Sequence, residues 1–245
     1  SFIACESFTE LLNKVSSESC LGLLPVENSI AGTVNEAYEE LINSGLEIFG
    51  EFIKKIDHTL IGLSNSKFEE ITHVISHPQA LQQCSKFLQD SKLRITPVFD
   101  TAGSVFEILE TKDINTAAIA GEHFKNDERF KILKENISNH QENFTRFLLI
   151  GNEKLESNKE NNKYSSVLIS DDKPGSLLKA LNIFSDLNIN LTKLESRPIL
   201  GRPWEYKFYI DYELQNVKTQ MELIDGIKKV SKEFIILGHY PKANP

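Results

Sequence analysis

The amino-acid sequence predicts an α/β protein in two domains, on three observations. Up to residue 151, short apolar runs alternate with segments of helical period, as in sheets covered by helices. The stretch from Asn152 to Lys163 is polar, charged and without apolar periodicity, so it cannot bury a core and reads as a linker. Beyond it, residues 164–245 run strand, helix, strand, strand, helix, strand, a βαββαβ ferredoxin-like arrangement.

In the first domain, residues 1–151, Ser1–Ala4 reads as a strand and Ser7–Val15 as a helix. No cap or tail precedes that strand, so the sequence is expected to begin inside a fold, with an N-terminal segment missing. Leu21–Leu24 is a strand, Val34–Ile42 an amphipathic helix capped by Thr33, and Ile71–Ile75 a strand. Pro78–Leu88 is a helix with proline in its first turn, Ile95–Val98 a strand, Ala102–Leu109 a helix and Ala117–Ala120 a strand. Such alternation predicts largely parallel sheets, which bind ligands at the carboxyl ends of strands beside helix starts. In the second domain, Tyr164–Ser170, Ile189–Ser196, Trp204–Tyr212 and Phe234–His239 are strands. Pro174–Leu187 and Met221–Val230 are its helices, the first with proline at its start.

Composition narrows the function. With 40% apolar and 25% charged residues the chain is of the soluble globular class. It has neither a membrane-length apolar run nor a signal-like opening. A net charge of -8 argues against nucleic acid and repels anions at long range, so an anionic ligand must be held by local dipoles and one or two cations. Cys5, Cys20 and Cys84 are scattered, without CxxC spacing, and read as reduced thiols of a cytoplasmic protein. His73 and His77 have metal spacing only if helical, and here they flank a strand; no metal and no cofactor is expected.

Four polar segments fall at strand ends or helix starts. Pro25 to Ser29 offers Asn28 and Ser29 as donors to a carboxylate. Ser76-His77-Pro78-Gln79 opens a helix whose unpaired backbone N–H groups suit an anion, with Gln83 one turn beyond Gln79. Asp100 to Ser104 repeats the pattern, Thr101 and Ala102 preceding a helix whose Gly103 permits close backbone approach. Asn143-Phe144-Thr145-Arg146-Phe147 opens the apolar run to Ile150. A buried Arg146 needs an anionic partner, either a substrate carboxylate or a structural Asp or Glu, and the substrate side is favoured.

Together, in this order, these segments resemble prephenate dehydratase across nearly the whole chain. The family's VPVENS pattern stands at Leu24 to Ser29, its SHPQAL at Ser76 to Leu81, and its NxTRF at Asn143, Thr145, Arg146 and Phe147. The resemblance implies a bilobal catalytic domain like a periplasmic binding protein, with the site in the cleft, and activity resting most on Thr145. The lack of chorismate mutase helices ahead of it implies the monofunctional form. Residues 164–245 resemble an ACT regulatory domain, implying L-phenylalanine feedback and a homodimer or homotetramer. Its effector residues would be Gly175, Ser176, Leu177, Asn190, Leu191, Glu195, Ser196, Arg197 and Pro198. Asn188 stands where that family often has glycine, and asparagine tolerates the left-handed turn.

The implied reaction takes prephenate to phenylpyruvate, losing carbon dioxide and hydroxide together as the ring becomes aromatic. Neither metal nor covalent nucleophile is required. Thr145 would hydrogen-bond the departing oxygen, with Glu27 and His77 as secondary acids. Arg146 and the helix starts at Ser76 and Thr101 would bind the carboxylates. Asn28, Ser29, Gln79, Gln83, Ala102, Asn143 and Phe147 complete the expected site. Arogenate dehydratase and a non-catalytic aromatic-acid sensor are the alternatives.

Overall fold

The structure is a computed structural model that describes residues 3–18, 20–152 and 161–243. Ser1 and Phe2 of the expected opening strand, and residues 153–160 of the expected linker, lie outside the described residues. Helix α1 (Phe8–Ser17) starts at Ser7, whose Oγ accepts from the Glu10 amide. Then come β1 (Gly22–Asn28), the short β2 (Gly32–Thr33), α2 (Asn35–Ser44), β3 (Glu47–Lys55) and β4 (His58–Leu63). β5 (His73–Ser76), α3 (Pro78–Gln83), α4 (Ser85–Ser91), β6 (Arg94–Pro97), α5 (Gly103–Thr111), β7 (Thr116–Gly121) and β8 (Phe130–Lys134) follow. The rest is β9 (Phe144–Gly151), β10 (Lys163–Ser170), α6 (Ser176–Asp186), β11 (Asn190–Ile199), β12 (Arg202–Glu213), α7 (Val217–Lys228) and β13 (Ser231–Tyr240). None of the described helices is long and apolar enough to cross a membrane.

The chain forms two compact units, residues 1–54 with 145–245, and residues 55–144. The first is built on one eight-stranded sheet, ordered β11-β12-β10-β13-β3-β9-β1-β2. The seam between its N-terminal and C-terminal strands is β13 beside β3, parallel, with Gly238 opposite Ile48. A Cβ at Gly238 would collide with the Ile48 carbonyl oxygen, so only glycine permits this approach. One core cluster runs across the seam, joining Leu24, Tyr38, Ile48 and Leu148 to Val167, Tyr209 and Tyr240. A second, with Leu168, Phe184, Ile210, Leu223 and Ile227, lies under α6 and α7.

The second unit has a five-stranded sheet, ordered β6-β5-β7-β4-β8. Leu60, Val74 and Ile119 pack with Leu81 and Leu88 of α3 and α4 on one face. On the other, Ile61, Ile75 and Ala118 pack with Val105 and Ile108 of α5. Burial on both faces explains the uninterrupted apolar run Ala117–Ala120.

Several local expectations are corrected. The sheets are mixed: β5 is parallel to β6 and β7, whereas β1–β2, β1–β9, β10–β12, β10–β13, β11–β12, β4–β7 and β4–β8 are antiparallel. Strand neighbours come from distant parts of the chain, so alternation along the sequence did not fix their direction. Thr33 does not cap α2; it pairs with Glu27 in β2, and α2 starts at Val34 without a side-chain cap. The helix expected over 78–88 is split at Cys84, where Asn139 donates to the Gln82 and Gln83 carbonyl ends and accepts from the Lys86 amide. α6 begins at Ser176, not Pro174, because Gly175 takes the left-handed conformation (φ 81°). Asn188 takes it too, at φ 55°. β3 and β8 were not expected as strands, since charged residues such as Glu51, Lys54, Lys55, Lys131 and Lys134 interrupt their apolar alternation, and β4, a short run buried throughout, was not expected either.

Candidate active site

In the first unit, Asn28 lies opposite Thr145, Glu27 opposite Arg146 and Pro25 opposite Phe147. A bulge between Pro25 and Glu27 re-aims the end of β1. Along β9, Thr145, Phe147 and Leu149 occupy a half-exposed face, and Arg146, Leu148 and Ile150 the buried one. Asn28 Nδ2 donates to Thr145 Oγ1 at 3.1 Å. Its Oδ1 accepts from the Ile30 and Ala31 amides at 3.0 and 2.9 Å, which fixes the end of the side chain that faces the threonine. Since Oγ1 already accepts from Asn28, the Thr145 hydroxyl proton is left to act as a donor elsewhere. Ser29 is exposed in the turn, and Phe147 packs against Phe52 with ring centroids 6.5 Å apart.

Arg146 is buried, and protein acids surround it. Nε donates to Glu51 at 2.7 Å, Nη1 to Asp211 at 2.6 Å and Nη2 to the Tyr240 hydroxyl at 2.9 Å. Glu27, half exposed, stands 3.6 Å away. Glu51 also binds Lys163 at 2.9 Å, and Ser165 donates to Asp211 at 2.6 Å. Burial opposes the guanidinium charge, yet Asp211 and the neighbouring groups raise its proton affinity above normal. The substrate carboxylate expected as the partner of Arg146 is thus replaced by structural carboxylates. Strand alternation gives the reason, since Arg146 points away from the face that carries Thr145.

In the second unit the expected residues lie at the starts of α3 and α5 and around Gln83. Ser76 and Pro97 are paired at the adjacent carboxyl ends of β5 and β6, so the starts of α3 and α5 leave the same sheet edge. His77 caps α3, its Nδ1 accepting from the Gln79 amide at 3.2 Å, while the Gln79 side chain is exposed. Ser76 is fully buried and donates to the Ile119 carbonyl at 2.6 Å, so its hydroxyl stitches β5 to β7 instead of facing a ligand. At α5, Asp100 accepts from the Gly103 amide and Thr101 O from the Ser104 hydroxyl, with Ala102 at the N-cap position. A protein carboxylate therefore occupies the helix start that was expected to hold a substrate anion. Gln83 Oε1 accepts from Asn143 Nδ2 at 3.1 Å and meets His58 Nε2 at 2.7 Å. With Oε1 so engaged, the donors of the Gln83 amide NH2 are left for other partners.

The expected effector residues divide by strand alternation. On β11, Glu195 and Arg197 share the more buried face, and Ser196 and Pro198 the exposed one. Arg197 Nη2 donates to Glu195, and Arg197 Nε is buried without a partner. Burial pushes the Glu195 carboxyl up, but Thr33, Arg197 and Lys193 together hold it below the usual range. A cavity of about 420 Å³ beside α6 is lined by Phe184, Asn188, Asn190, Leu191 and Leu194 among others. Gly175, Ser176 and Leu177 form the start of α6.

Sequence reading missed His58, Glu51, Asp211, Tyr240 and Lys193, all of which support the expected site residues. The signal for the burial of Arg146 was present in the period of two, which placed it on the core face with Leu148 and Ile150. Nothing in the local sequence pointed to Asp211 or Lys193, which arrive from strands far along the chain.

The chain belongs to the prephenate dehydratase family and is an enzyme of that class: the family model for prephenate dehydratase matches residues 1–155. It is 37% identical over 240 residues to the prephenate dehydratase of Methanocaldococcus jannaschii, spanning 97% of this chain and 86% of that one. The structure of prephenate dehydratase from Arthrobacter aurescens in complex with L-Phe superposes with a TM-score of 0.87 at 26% identity, covering 98% of this chain and 81% of that one. A structure described as GqqA, a quorum quenching acylase, gives a TM-score of 0.87 at 27% identity, covering 98% and 88%.

Proposed function

We propose that Thr145 supplies the hydrogen bond on which the decarboxylating dehydration of prephenate to phenylpyruvate depends. The ring C–O bond and the bond to the ring carboxylate break together, releasing carbon dioxide, and the departing oxygen leaves as water once protonated. Hydroxide leaves poorly unless hydrogen-bonded as its charge develops. The observation that carries this reading is the Asn28–Thr145 bond, in which Oγ1 accepts and so keeps its own proton for another partner. Glu27 and His77 serve as secondary proton sources. Asn28, Ser29, Gln79, Gln83, Thr101, Ala102, Asn143 and Phe147 bind substrate. Arg146 and Ser76 are assigned to the scaffold.

Residues 1–151 make up a bilobal catalytic domain, residues 152–163 a linker, and residues 164–245 an ACT regulatory domain responding to L-phenylalanine. The order of strands β11-β12-β10-β13, the left-handed Gly175 and the L-Phe complex of the Arthrobacter neighbour support this. The protein works in the cytoplasm as a homodimer or homotetramer. The test is phenylpyruvate formation from prephenate with and without L-phenylalanine, beside arogenate. Turnover of prephenate suppressed by L-phenylalanine is expected. Turnover of arogenate alone, or ligand binding without product, would overturn the substrate assignment.

A further inference from the structure

β11 and β2 stand at opposite ends of the strand order, yet side chains join them. Lys193 on β11 is nearly buried, its side chain 8% exposed. Its Nζ donates to Thr33 Oγ1 at 2.8 Å and stands 3.2 Å from both Glu27 Oε2 and Glu195 Oε2. An ammonium has three N–H donors, and three oxygens stand within 3.2 Å of this one. The Tyr38 ring lies beneath it, 5.6 Å from Nζ to the centroid. Thr33, accepting from Lys193, donates a hydrogen bond of its own to Glu195.

The two acceptors outside β11 have a particular place. Glu27 and Thr33 face each other across the β1–β2 hairpin, one on each arm. Between them lies the turn that holds Asn28, the donor to Thr145. Lys193 therefore grips both arms of the turn that orients the hydroxyl, while its β11 neighbour Glu195 is held by Arg197.

We propose that Lys193 is a positioning residue: it clasps the β1–β2 turn to β11, and through this clasp an amino-acid effector engaging Glu195 or Arg197 is felt at Thr145. The link to turnover rests on the function proposed above; the clasp itself does not. Ligand binding that draws Glu195 or Arg197 away changes the acceptors of Lys193 and Thr33, which loosens or shifts Asn28.

The test compares the full chain with Lys193→Met, Thr33→Val and Thr33→Ser. Expected for K193M and T33V is backbone amide exchange over residues 28–34 that is about 10-fold faster, as one lost polar anchor gives. L-Phenylalanine should still bind both variants by calorimetry but inhibit at least ~5-fold less well, the lower end of allosteric coupling. T33S, which keeps the hydroxyl, should behave as the parent chain. Parent-like exchange and inhibition in folded K193M would overturn the clasp. Should K193M fail to fold, T33V against T33S decides by the same readouts. A parent chain that makes no phenylpyruvate would defeat the functional reading, while the exchange comparison would still decide the clasp.

Discussion

The two units handle polarity in opposite ways. Around β9 of the first, Arg146, Glu51, Asp211 and Lys163 form a buried ion cluster, and the reactive candidate beside it is an uncharged hydroxyl. In the second, the Gln83 amide oxygen joins Asn143 and His58 in a chain of hydrogen bonds without a carboxylate. Around Arg146 charge goes into the scaffold, and the hydroxyl beside it, proposed to face the substrate, carries none. That division suits a chain of net charge -8, in which a free cation at the site would be hard to keep from its many acids.

The comparison can be broken first at the ion cluster. Glu51→Gln or Asp211→Asn leaves part of the charge on Arg146 and Lys163 uncompensated, a loss of about 3–5 kcal/mol. Denaturant unfolding should show it in the midpoint with little change in slope, and an unchanged midpoint would mean that these charges are solvated. Next comes the chain at Gln83. Gln83→Leu leaves Asn143 and His58 without their shared acceptor, costing about 1–3 kcal/mol. Here kcat/KM should also fall, whereas Ser76→Ala, on a hydroxyl spent inside the sheet, should lower stability with kcat/KM kept. Asn28→Ala removes the bond to Thr145 and the acceptor of two turn amides, and should cost turnover by about 10-fold, about 1.4 kcal/mol, with a smaller loss in unfolding than Gln83→Leu.

The smallest effect concerns Cys84. Burial pushes its thiol up to about 12. At pH 8 iodoacetamide should modify Cys5 and Cys20 in the folded protein and Cys84 only in urea, counted by mass spectrometry. The sign for stability follows: above pH 9 the unfolded chain releases this proton while the folded one keeps it, so this group's contribution falls as pH climbs toward 12.

Much of this arrangement could be read from the chain. The apolar run at 117–120, the helix opening near Ser7 and the left-handed Asn188 each follow from local chemistry. Thr145 and Asn28 stood out from their motifs, although the hydrogen bond between them was not legible. What escaped was set by distant strands. Arg146 meets Asp211 and Tyr240 only because β13 lies beside β3, and that depends on the missing side chain of Gly238. Ser76 looked like a ligand donor because its burial and its Ile119 acceptor belong to sheet pairing. Strand direction was misread for the same reason.

The most direct test of the central claim is kcat for Thr145→Val with prephenate, a near-isosteric loss of one hydroxyl. The account predicts a fall of about 10²–10³, the usual cost of one donor at a developing oxyanion, with the unfolding midpoint kept. A folded T145V chain with near-parental kcat would contradict it.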